Sequence, residues 1–69
     1  MKLNRKNLLI AIANAGINDH DLCLMSGVSR PALTKIKACR NNPKPVTIGR
    51  LARALNASVE YLTQEAANE

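Results

Sequence analysis

At 69 residues the chain is read as one domain spanning 1–69, since two cores would each be too small to hold together. Hydrophobic residues make up 46% and Tyr61 is the only aromatic, so an aliphatic core between short helices is expected, and the wall material for a substrate cleft is missing, which argues against an enzyme. Ten Lys and Arg against five Asp and Glu leave a net charge of +5, which suits a polyanion partner or a merely solvated surface, and only the placement of the charges separates the two.

Leu8, Ala11, Ile12 and Ala15 keep helical spacing from about Asn4 until Gly16 stops the first helix. Leu9, Ile10 and Ala13 widen its apolar face, either as a broad core face or as a partner surface. The basic start, Met1 to Lys6, precedes an apolar run, Leu8 to Ala13, that is too short for a membrane span, and no cleavage site follows. A cytoplasmic protein is expected.

Asn18 is placed to cap a second helix, with Asp19 and Asp21 in its first turn. This helix runs to about Ser26, with Leu22, Cys23 and part of Met25 inward, and Gly27 ends it with a positive φ if the turn needs one. Val28 points back to the core. Ser29 caps a third helix, Arg30 to about Ala38, with Pro31 near its start and Leu33 and Ile36 buried. The segment from Cys39 to Pro45 is a basic loop rich in Asn and Pro. A fourth helix, about Thr47 to Leu55, buries Ile48, Leu51, Ala52 and Leu55 before Asn56 ends it. Ser58 caps a fifth, Val59 and Leu62 close the core, and the tail of about 64–69 is polar and expected to fray. The fold class is therefore all-α, a compact five-helix bundle.

Cys23 and Cys39 form no C-x-x-C pair and have no clustered His, so no metal site or disulfide framework is expected, and Cys23 reads as a small buried hydrophobe. Neither a cofactor nor a small-molecule substrate is expected. Nothing resembles a nucleophile, base and orienter set, and the cations spread over several elements rather than lining one membrane-surface helix.

Two short helices joined through Gly27-Val28-Ser29 leave the third with a buried side and a polar side of Arg30, Thr34, Lys35 and Lys37. A helix about 10–12 Å across fits a major groove about 12 Å wide. Leu22-Cys23-x-x-x-Gly27-Val28-Ser29-Arg30, Leu33-x-x-Ile36, Asn42-Pro43 and Leu51-Ala52-x-Ala54-Leu55-x-x-Ser58-Val59-x-x-Leu62 together resemble the Cro and cI phage-repressor, or XRE, family of helix-turn-helix domains, over roughly Leu8 to Leu62. The resemblance implies helices 2 and 3 as the helix-turn-helix, binding of double-stranded DNA at inverted half-sites, and transcriptional repression or autoregulation in a bacterial or phage-infected cell.

Carried over position by position, the family's base-reading residues fall on Arg30, Pro31, Ala32 and Lys35. Arg30 and Lys35 can donate to guanine, while Pro31 and Ala32 offer apolar contact, for instance to a thymine methyl. Ser29 and Thr34 lie beside them and can touch bases or phosphates. Arg40, Asn41, Asn42 and Lys44 match the family segment that follows the phosphate backbone, and Lys37 faces nearly the same way. The resemblance implies a weak or DNA-induced homodimer through Ala57, Val59 and Tyr61, with Tyr61 equally readable as an aromatic covering the core edge. A chain that stops at Glu69 would lack the regulated C-terminal domain of longer repressors, which favours a small Cro-like repressor controlled by its own concentration.

Three positions depart from the pattern. Asp19 stands where the family has a phosphate-binding glutamine, and His20 is the candidate to replace that contact if protonated. Ile12 and Lys37 stand where the family pairs an arginine with a glutamate, so no charge is stranded. Cys39 replaces a glycine, so it either takes a left-handed conformation or moves the terminator to Asn41. Rival readings on the same fold are an antitoxin, with Leu9 and Ile10 as its apolar patch, and an excisionase-like accessory protein that bends its site.

Overall fold

The computed structural model describes residues 2–38 and 42–64. Its described elements are five α-helices: α1 Arg5–Ala15, α2 Asp19–Ser26, α3 Arg30–Lys37, α4 Pro45–Leu55 and α5 Val59–Thr63. Among the described residues there is no strand, and no helix is long and apolar enough to cross a membrane.

Local chemistry sets most helix ends. Asn4, Asn18, Ser29 and Ser58 each accept, through the side chain, an amide hydrogen bond from the first turn of α1, α2, α3 and α5, which satisfies donors that a helix start leaves free. At the other ends Gly16, Gly27 and Asn56 adopt left-handed backbone, with φ of 68°, 76° and 54°, and turn their amides back onto the last helical carbonyls. The fourth helix begins at Pro45, two residues before the expected Thr47. A proline at the first position loses no hydrogen bond, and the Lys44 carbonyl accepts from the amides of Thr47 and Ile48.

The core is aliphatic and drawn from every helix: Leu8 and Ala11, Leu22, Val28, Leu33 and Ile36, Ile48, Leu51, Ala52 and Leu55, and Leu62. Ile12, Cys23, Val59 and Tyr61 are half-buried against it. Ala15, in the last turn of α1, is exposed, and Met25 is 58% exposed beside an exposed Leu24. On α2 the inward position is taken by Ser26, whose hydroxyl donates to the Leu22 carbonyl at 2.6 Å and accepts from the Val28 amide at 3.2 Å. Both hydrogen bonds offset the cost of taking this hydroxyl out of water.

α1 packs on α3, α4 and α5, and α2 on α3 and α4. Polar side chains fasten α1 to α5 as well: Asn7 donates through Nδ2 to the Tyr61 carbonyl and Asn4 to the Gln64 carbonyl, both at 2.8 Å. The Asn4 amide also donates to the Leu62 carbonyl. The α5 carbonyls therefore find donors that their own short helix cannot supply.

Candidate nucleic-acid interface

The joint between α2 and α3 is Gly27, Val28 and Ser29. A Cβ added at Gly27 would meet only the Arg50 guanidinium, at 4.0 Å, so glycine is needed there for its positive φ rather than for space. Val28 is buried, and its amide rests on the Ser26 hydroxyl. Ser29 then turns the chain, accepting from the Ala32 amide at 3.3 Å and, through its carbonyl, from the Leu33 amide. Each residue of the joint thus fixes the direction in which α3 leaves.

α3 is anchored by Leu33 and Ile36, both nearly inaccessible. That rotation turns Arg30, Pro31, Thr34 and Lys35 to solvent, while Ala32 is half-buried at the edge of the core. An open groove of about 630 Å³ runs beside α3, lined by Ser29, Pro31, Ala32, Lys35 and Ile36 on one side and Asn42, Pro43, Lys44 and Thr47 on the other. Of the residues read from the sequence as base-reading, Pro31, Ala32 and Lys35 therefore share one surface with Ser29, Asn42 and Lys44 of the backbone-tracking set, whereas Arg30, Thr34, Lys37 and His20 do not line it. Thr47 is an addition to that surface. Its signal lay in the Pro45 start, which places Thr47 in the first turn of α4.

Part of the positive charge lies on this surface, while Arg50 and Arg53 line another. Between Asp21 and Glu60 the chain carries no acid and seven of its ten cations. Lys35 and Lys44 line the groove, and Arg30 is exposed on α3. Such a surface draws a polyanion. Asn42 also accepts a hydrogen bond from the Leu3 amide at 3.4 Å, which connects this edge to the start of α1. Arg40 and Asn41, together with Cys39, lie outside the described residues.

The other end of α3 is held by two charged side chains. Arg5 donates from Nε to the Lys37 backbone carbonyl. The Lys37 ammonium lies 3.0 and 2.9 Å from the two carboxylate oxygens of Asp19, the one ion pair among the described residues. Asp19 and Lys37, two of the residues that depart from the family pattern, thus meet each other. Ile12, another of them, packs half-buried against the core. The Asp19 carboxylate is thus paired within the chain, whereas His20, next in the chain, is exposed.

Ala57 and Val59 line a second open groove, of about 510 Å³, with Val46, Gly49, Arg50, Ala52 and Arg53. Val46 is 61% exposed there. Tyr61 is half-buried against the core. Among the described residues no group of three or more His, Cys, Asp or Glu could hold a metal ion.

Neither the comparison with curated proteins nor that with solved structures gives a match. A family model described as Helix-turn-helix matches residues 8–62, which takes in α2, the Gly27 joint, α3 and the groove beside it. By that match over most of its length, the chain belongs to the XRE, or Cro/cI-type, helix-turn-helix family of DNA-binding transcription regulators.

Proposed function

We propose that the chain is a Cro-like repressor, acting in the cytoplasm of a bacterial or phage-infected cell, that binds an inverted-repeat operator as a weak or DNA-induced homodimer. The observation that supports this reading most is the shared groove, where Pro31, Ala32 and Lys35 of α3 face the Asn42 to Lys44 edge. α3 enters the major groove, and the Asn42 to Lys44 edge follows the adjoining backbone.

Arg30 and Lys35 read guanine through O6 and N7, and Pro31 and Ala32 supply apolar contact. Half-buried as it is, Ala32 presents a small surface, suited to close approach of a base-pair edge. Ser29, Thr34, Asn42 and Lys44 hold the register on phosphates, contacts that position without carrying sequence information. Lys37 is a supporting residue, tied to Asp19. His20, exposed at the start of α2, is the remaining candidate for a phosphate at that corner.

One reading head makes too few base contacts for useful specificity, so two copies bind half-sites about one helical turn apart. The groove around Ala57 and Val59, with exposed Val46 at its rim, supports a contact between copies on that side. Tyr61 contributes at most its exposed edge.

Selection of bound duplexes from a random pool tests the reading. Enrichment of a guanine-containing inverted repeat, occupied by two chains per site, is the expected result. Enrichment of no sequence, with binding that salt weakens equally on all duplexes, would overturn it.

A further inference from the structure

We infer that Asp19 is a positioning residue that keeps the Lys37 ammonium off the DNA backbone, so that the bound complex spends one cation fewer on phosphate than the sequence suggests. This rests on the proposed placement of α3 in the major groove.

Lys37 sits on the last turn of α3, where a free ammonium would add to the cationic surface. Instead it faces both carboxylate oxygens of Asp19 at 2.9 and 3.0 Å. Its backbone is fixed independently, because Arg5 of α1 holds the Lys37 carbonyl. Its side chain is 30% exposed and that of Asp19 38%, so water screens the pair less than at an open surface. The pair bridges α2 and α3, the two helices of the reading unit.

The dependence is mutual. Asp19 and Asp21 are the only acids before Glu60, and Asp19 opens the helix whose start faces the proposed backbone corner. Unpaired, its carboxylate would repel phosphate. Paired, the two charges form a neutral dipolar unit, and neither acts on the DNA as an ion. Asp21 lies in the same first turn, is exposed and makes no ion pair among the described residues. Replacing it removes the same charge from the same helix without touching Lys37.

The test is the salt dependence of binding to a random-sequence duplex, compared for the wild-type chain, Asp21→Asn, Asp19→Asn and the double variant Asp19→Asn with Lys37→Met. Each phosphate neutralised by a cation adds about 0.9 to the slope of log affinity against log salt. Asp19→Asn is expected to be steeper than Asp21→Asn by about one unit and to bind severalfold tighter at low salt, because Lys37 is released to a phosphate. The double variant, which has the wild-type net charge, is expected to return to the wild-type slope. Equal slopes for Asp19→Asn and Asp21→Asn would overturn the inference, as would a double variant flatter than wild type by one unit, since Lys37 would then already contact phosphate. Either result leaves the DNA reading standing. A wild-type chain that binds no duplex would sink both.

Discussion

Arg5, at the first position of α1, donates through Nε to the backbone carbonyl of Lys37, the last residue of α3. A cation at that end satisfies a carbonyl the helix leaves free and opposes the partial negative charge gathered there. α3 is thereby tied at its far end to the first helix of the chain, while Ser29 caps its near end.

Removing that tie by Arg5→Met should lower stability by about 1 kcal/mol, the scale of a single hydrogen bond partly open to water. In a domain this small the melting temperature falls by about 4–8 °C for each kcal/mol. Amide exchange localises the effect: the Ile36, Lys37 and Ala38 amides should exchange faster, with those of α4 following only the global change. Uniformly faster exchange would mean that Arg5 does not act on the end of α3.

Ser29→Ala removes the acceptor for the Ala32 amide. A loss of about 1 kcal/mol is expected from thermal or denaturant melts. Binding should weaken beyond what unfolding accounts for, because Ser29 also lines the groove. Ser29→Asp restores the cap but puts a carboxylate against phosphate, so stability should recover while DNA affinity does not. Recovery of both would remove Ser29 from the interface.

Asn56 is the one described non-glycine residue with positive φ. Any Cβ is strained there, Asn being the best tolerated of the L residues. Asn56→Ala is expected to cost about 1 kcal/mol and Asn56→Gly to be neutral or slightly stabilising, as read by melting temperature. Equal losses would assign the role of Asn56 to its side-chain amide rather than to its backbone.

Lys44→Ala should weaken binding on every duplex alike and flatten the salt slope by about one unit. Arg30→Ala should instead cost about 1–3 kcal/mol on the preferred operator and relax discrimination at one position of each half-site. These two signatures separate a residue that positions the protein from one that reads sequence.

How much of this was legible in the sequence follows the range of the interactions. Asn18, Ser29 and Ser58 act on amides three residues on, and Gly16, Gly27 and Asn56 set their own φ, so local reading located the five helices. The anchored side of α3 was equally plain, since Leu33 and Ile36 lie one helical turn apart. The exposure of Ala15 and of most of Met25 was not legible, because apolar character alone does not say where a short helix runs past its core. The inward use of Ser26 depends on two hydrogen bonds that periodicity does not see. The Asn7 link to Tyr61 and the Arg5 link to Lys37 span 54 and 32 residues, and the Asp19 pair with Lys37 spans 18. Such contacts exist only once the helices have packed. The base-reading residues carried over by resemblance lie along α3 and its groove, whereas Arg40 and Asn41 lie outside the described residues.

The central claim is that α3 reads DNA through its cationic outer face. The most direct measurement is selection from a random duplex pool run in parallel with the wild-type chain and with Lys35→Ala, a substitution at an exposed position on a helix held by other residues. The wild-type chain should enrich an inverted repeat containing guanine, and Lys35→Ala should enrich the same repeat with the preference erased at one position in each half. Identical motifs from both proteins, or none from either, would contradict the account.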